Sequence, residues 1–275
     1  MKIEKREFES IYFDLYELKP GIFTTMAYVS ANAGFFDLGN YTIIFDTLMD
    51  PYATEDLIKA SKQFTNKDPA FLINSHFHID HLYGNRKFDT SIPIISSYET
   101  LKEYHRTTED ILNRFREQGD ADLKRIDEEL KKETDPKKIL EMKNDINSYT
   151  EMKDPNFKLR APDFIISDSI TIEGTSGKVE LIYIGAAHSP GDLIGYFEKE
   201  KICFMGDLLF QETDPSWVSG PNPMPFTVNP ERFRDFLQEY LQKDIEIFVP
   251  GHGKLCTKKE LEDSIKFLEE YYIKN

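Results

Sequence analysis

Two cysteines in 275 residues are too few for a disulfide framework. Cys203 and Cys256 also belong to no CxxC pair, which excludes a zinc ribbon built on thiolates. They read as ordinary semi-buried thiols of a reducing compartment. Basic residues are scarce too: 34 Lys and Arg stand against 49 Asp and Glu, a formal net charge of −15. A surface of that sign repels phosphate backbones and anionic lipid headgroups, so neither nucleic acid nor a membrane is an expected partner. No apolar run approaches the roughly 18 residues of a membrane helix. The N-terminal MKIEKREFES carries charges with no apolar stretch behind them, unlike a secretory leader. The expected location is therefore the cytoplasm. Internal repeats and low-complexity tracts are missing, as are GxSxG and HExxH, so neither a serine nucleophile elbow nor a helical zinc-protease signature is at hand.

What is present is ample apolar material. A hydrophobic fraction of 40%, with 21 Phe and 14 Tyr, supplies a sizeable core. Residues 35–38 and 41–45 flank Gly39-Asn40 as a two-residue hairpin, with Asp46 just past its second strand. Residues 54–64 carry helical spacing behind an acidic first turn, and 70–74 is a short buried strand. This strand–helix–strand order predicts an α/β layer fold. Later strands are expected at 169–172, 179–184, 195–198, 202–205 and 245–249, and helices at 230–242 and 258–272. GTSGK at 174–178 lacks the spacing of a phosphate loop and reads as a hairpin turn.

Residues 99–160 differ in character, with 14 basic and 16 acidic residues in 62 positions. Leu123, Ile126 and Leu130 make one helical stripe, and Ile139, Met142, Ile146 and Tyr149 another. Asp135-Pro136 is a helix start. The segment is expected to form two or three helices, the later pair a hairpin, inserted into a single domain over residues 1–275. It either covers a substrate pocket or joins two copies into a homodimer. The segment 211–226, rich in proline and holding Trp217, is a stiff loop suited to walling that pocket. His105, inside the insertion, reads as a surface residue, while Phe77 and Ile79 read as core.

The chemistry-bearing stretch is His76-Phe77-His78-Ile79-Asp80-His81, directly after a strand. Residues two apart in an extended segment point the same way, so His76 and His78 can grip one ion together. Asp80 and His81 follow as the chain turns and can face a second ion. Imidazole and carboxylate suit zinc, and also manganese or iron.

HFHIDH resembles the HxHxDH signature of the metallo-β-lactamase superfamily, and the companion motifs follow in the family's order. Asp46 closes YTIIFD, His188 lies in AAHSPGD, Asp207 in CFMGDLLF and His252 in VPGHG. The resemblance implies a four-layer αββα sandwich with the metals at one edge between two sheets. Carried over by position, it implies His76, His78 and His188 on a first metal and Asp80, His81 and His252 on a second. Asp207 would bridge both, and Asp46 would orient ligands from behind. Asp80 and Asp207 are the candidate catalytic carboxylates. Two cations sharing a water lower its pKa and make hydroxide available near neutral pH. The implied activity is hydrolysis of a small ester, lactone, thioester or related substrate. Antibiotic-cleaving members of the best-known class carry cysteine where Asp207 stands, so β-lactam hydrolysis is not the expectation. A mononuclear iron persulfide dioxygenase is the oxidoreductase alternative on the same fold, and a phosphodiesterase or nuclease a more remote one.

Overall fold

The computed structural model describes residues 3–211 and 227–273. The expectation for 211–226 and Trp217 thus falls, but for Gln211, outside the described residues. The first sheet starts as an antiparallel meander of β1 (Glu4–Arg6), β2 (Phe13–Lys19), β3 (Ile22–Ala27), β4 (Gly34–Asp37) and β5 (Thr42–Phe45). Parallel strands β6 (Pro69–Ile73), β7 (Ile94–Ser97) and β8 (Phe164–Ile166) extend it. The second sheet runs in the order β13 (Ile247–His252), β12 (Ile202–Phe210), β11 (Asp192–Phe197), β10 (Lys178–Gly185), β9 (Ser169–Glu173). The hairpins read from Gly39-Asn40 and from 174–178 are both present; the second turn closes with Gly174 N–H donating to the Gly177 carbonyl at 2.9 Å.

Alternation along these strands sorts the core into layers. Phe36, Ile43, Phe45 and Ile73 face the second sheet, where they meet Leu181, Leu193, Phe197, Phe204 and Val249. Phe36 sits edge-on to Phe197 and Phe204, with ring centroids 4.6 and 4.8 Å apart. Phe35, Ile44 and Leu72 face the other way, onto Leu57 and Ala60 of α1 (Pro51–Thr65). Beyond the second sheet, Cys203, Met205 and Phe248 pack under α5 (Pro230–Gln242) and α6 (Lys258–Leu268) through Phe236, Leu237, Leu261 and Leu268. Helix, sheet, sheet, helix is the four-layer order expected. Cys203 and Cys256 are buried outright rather than partly, which pushes both thiols up in pKa.

The helix expected from residue 54 begins at Pro51. The Asp50 side chain accepts from the N–H groups of Tyr52 and Ala53 and proline takes the first turn, a cap stronger than the Thr54 signal.

Between the β7 and β8 strands lies the charged insertion. It holds one unbroken helix, α3 (Tyr98–Leu130), and a second, α4 (Pro136–Met152), that starts at Asp135-Pro136 and folds back on the first. Gly119 does not interrupt α3. Its missing side chain lets α4 approach, since a Cβ there would lie 3.2 Å from that of Lys153. Of the two sequence stripes only Ile126 is fully buried. The deeper contact is a small core of Leu112 and Met152 with Leu82, Tyr83, Phe157 and Leu159. Polar ties reinforce it: Asn147 donates to Asp50 at 2.9 Å, and Tyr83 and Arg86 both donate to Glu151. The insertion is thereby fixed to the body of the fold. Among the described residues no helix is long and apolar enough to cross a membrane.

Candidate metal centre

Six of the seven candidate residues end or follow strands at one edge of the two sheets, and Asp207 lies within β12. After β6 the chain bends through residues 75–77, rather than staying extended as expected, and reaches His78, whose φ of −63° and ψ of 143° cap the short helix α2 (Ile79–Leu82). His76 and His78 still project together, with His76 Nε2 2.9 Å from His78 Nδ1. The turn into α2 swings Asp80 and His81 to the neighbouring position. Asn74 holds this turn by donating to the His81 carbonyl at 3.1 Å. From the second sheet, His188 comes from the loop between β10 and β11, Asp207 from β12 and His252 from the end of β13. Gly206, in the left-handed region at φ 53°, breaks the regular register of β12 just before Asp207.

The carboxylate of Asp207 divides the site in two. Its Oδ2 lies 3.3 Å from His188 Nε2 and 3.6 Å from His76 Nε2. Its Oδ1 lies 3.0 Å from His81 Nε2 and 3.5 Å from His252 Nε2. Asp80 faces the second group, 3.1 Å from His252 Nε2. Ligand atoms of His76, His78, His188 and Asp207 all fall within 4.8 Å of one another, and so do those of Asp80, His81 and His252. All seven sequence candidates are thus brought together, in two groups.

This donor set fits cations. Asp207 Oδ1 and His81 Nε2 are buried polar atoms with no hydrogen-bond partner among the described residues, and they face each other across the centre. Such atoms are costly to leave unsatisfied, and a divalent ion between them would satisfy both. Gly251 leaves the necessary room, because a Cβ there would overlap Asp207 Oδ1. Burial, with His188 next, holds His78 down at about 4, and burial with His81 holds His76 well below its ordinary value. Both imidazoles are therefore neutral and able to ligate. Burial would lower His81 as well, but Asp207, Asp80 and Asp46 outweigh it and raise its affinity for positive charge.

Behind the ligands, Asp46 accepts from Ser75 N and Ser75 Oγ, each at 2.7 Å, and lies 2.8 Å from His81 Nδ1. Ser75 Oγ in turn lies 3.0 Å from His76 Nδ1. One buried carboxylate thus orients a histidine of each set, the orienting position expected of Asp46.

Sequence reasoning missed three supports. Ser75 is one, recognisable only by standing next to His76. Asn32 is another: its side-chain amide donates to the carbonyls of Pro250 and Gly253, pinning the turn that carries His252. No local pattern marks it. Asp192, four residues after His188, accepts from Ser189 N, Ser189 Oγ and Ala187 N and shapes the His188 loop. Burial pushes its carboxyl up to about 6 despite those bonds. Its signal was the Ser-Pro-Gly-Asp turn. His105 is exposed, as expected, while Phe77 and Ile79 are only partly buried, against the insertion core.

The sequence profile described as Metallo-beta-lactamase superfamily matches residues 28–252. The chain belongs to the metallo-β-lactamase superfamily. No curated protein sequence is found to match it. Solved structures do. A metallo-beta-lactamase from Pontibacter korlensis is 14% identical, with a TM-score of 0.62 over 98% of this chain and 100% of that one. One from Erythrobacter litoralis, solved with beta mercaptoethanol in its active site, is 14% identical with a TM-score of 0.65, at 98% and 100% coverage. The DIM-1 metallo-beta-lactamase is 16% identical with a TM-score of 0.62, at 98% and 99%. At such identities the likeness is one of fold alone; it is membership of the superfamily, with the His/Asp cluster, that supports a metal-dependent enzyme.

Proposed function

We propose that this superfamily member is a dinuclear metal-dependent hydrolase of small esters, lactones or thioesters, using two divalent cations, zinc in the first instance and manganese or iron otherwise. The observation that carries the reading is Asp207, whose two oxygens each address a separate set of imidazoles. His76, His78 and His188 would hold one cation and Asp80, His81 and His252 the other, with Asp207 shared. When bound, such a pair supplies a water deprotonated near neutral pH and a Lewis acid for the attacked carbonyl oxygen. The chain's own residues do the rest. Asp46 and Ser75 keep His81 and His76 in the tautomer that leaves Nε2 unprotonated. Burial would raise the Asp80 carboxyl, but His81 and His252 outweigh it and hold that carboxyl down at about 2, so it is ionised and able to ligate. The acidic surface fits a small-molecule substrate rather than nucleic acid, in the cytoplasm.

The test is elemental analysis beside an ester, lactone and thioester panel. The parent should carry close to two transition-metal ions per chain and lose hydrolysis with chelator. Asp207→Ala should abolish turnover and weaken both ions, while His252→Ala should mainly empty the second set. A parent holding one iron and consuming oxygen would establish the dioxygenase reading instead.

A further inference from the structure

The insertion does more than decorate the fold. Where α3 begins, Ser97 Oγ and Thr100 Oγ1 both donate to the Gly191 carbonyl, at 2.7 and 3.1 Å. Gly191 follows His188 by three positions, and a Cβ on it would overlap Ser97 Oγ and Thr100. The first turn of α3 is thereby locked against the loop that carries a candidate ligand. One turn further on stands Glu103, and Arg106 lies one turn beyond that. Both line a cleft of ≈ 250 Å³ that His78 and Pro190 also line, with Phe77 and Val228 as its apolar side.

The Glu103 side chain is only 10% exposed, whereas that of Arg106 is 66% exposed. Arg106 spends Nε and Nη2 on a single oxygen of Glu103, at 2.8 and 2.5 Å. Its Nη1 has no partner among the described residues. Guanidinium presents its donors as a planar fork, so anchoring one edge on a buried carboxylate leaves the other edge held in a fixed direction. In a protein of net charge −15, a fixed cation at the mouth of a metal cleft is a selective feature.

From this geometry we infer that Arg106 is a specificity-determining residue that binds a carboxylate on the substrate, so that the preferred substrate is an acyl compound bearing a second, anionic group beside the hydrolysed bond. The inference rests on the hydrolase reading for what is cleaved, but its own test does not require cleavage. Glu103 acts here as a positioning residue, holding the guanidinium across the cleft.

The experiment uses the zinc-loaded full-length protein and calorimetric titration with butyrate and with the dicarboxylates succinate, glutarate and adipate. Each offers one carboxylate to the metals, and only the dicarboxylates offer a second to Arg106. The best dicarboxylate should bind about tenfold more tightly than butyrate, the low end for a charge-assisted bond at a partly exposed site. Arg106→Gln should erase that ratio, Arg106→Lys should restore part of it, and Arg106→Glu should invert it. Metal content and thermal melting of each variant establish that the site is intact, which the exposure of Arg106 favours. Equal binding of butyrate and all dicarboxylates by the parent, or a preference that survives Arg106→Gln, overturns the inference. Failure of the ester panel alongside a dicarboxylate preference lost in Arg106→Gln would overturn the hydrolase reading alone.

Discussion

Replacing Asp46 by asparagine tests the electrostatics behind the metal centre with almost no change of shape. Asp46 is 1% exposed and accepts from three directions: Ser75 N on Oδ1, and Ser75 Oγ and His81 Nδ1 on Oδ2. In Asp46→Asn the amide oxygen keeps the Ser75 N–H, which leaves the amide nitrogen facing His81 Nδ1. Two donors cannot face each other, so Nδ1 must become the acceptor and the proton moves to Nε2. There it would donate to Asp207 Oδ1, 3.0 Å away, and close the place a cation would take. The first set is touched through Ser75, whose Oγ can no longer donate to that oxygen and turns its hydrogen toward His76 Nδ1, 3.0 Å away. Loss of an orienting partner weakens metal binding by about 10–100-fold, roughly 1.4–2.8 kcal/mol. That loss should reach both steps of a two-step zinc titration against a chromophoric chelator, and most directly the step that fills the His81 set. Nitrogen-15 spectra of the imidazoles should report the tautomer change directly. Two zinc affinities within twofold of the parent, or a loss that spares the His81 set, would refute this account of the Asp46 triad.

A methyl group at Gly251 would fall on Asp207 Oδ1; Gly251→Ala should therefore give a folded protein whose zinc content after dialysis drops toward one ion or none, and retention of two ions would contradict the crowding argument. Burial and the nearby Glu141 raise Asp145, on α4, to about 6 from 3.8. Its favourable contribution is complete below about pH 4 and is lost as the pH rises through 6, so at pH 7 its charge costs stability. Asp145→Asn should stabilise the protein at pH 7 by about 1 kcal/mol, after discounting for solvent screening, and change little at pH 4. Denaturant unfolding at both pH values checks this, and a gain that grows toward acid would reverse the assignment.

The layers were legible because strand alternation is a local signal: Phe35 and Phe36 already state which way each faces. The seven clustered residues were legible for a different reason, since five motifs in a fixed order constrain one another across the chain. What stayed hidden depended on contacts that no window of sequence contains. Asn32 reaches the His252 turn across more than two hundred positions, and the first turn of α3 meets the His188 loop ninety-odd positions later. The continuity of α3 through Gly119 was hidden likewise, because glycine there answers to Lys153 rather than to its own helix.

The centre draws His76, His78, Asp80 and His81 from one sheet and His188, Asp207 and His252 from the other, with His78 and His188 separated by 110 positions. It can therefore assemble only late in folding, once both sheets have already met, because closing such distant segments is entropically slow. An ion bound there acts as a clasp on a finished sandwich rather than a seed for it. Metal supply would then govern how long the folded chain lasts far more than how fast it forms, and starvation for metal would show itself first as faster turnover of protein in the cell.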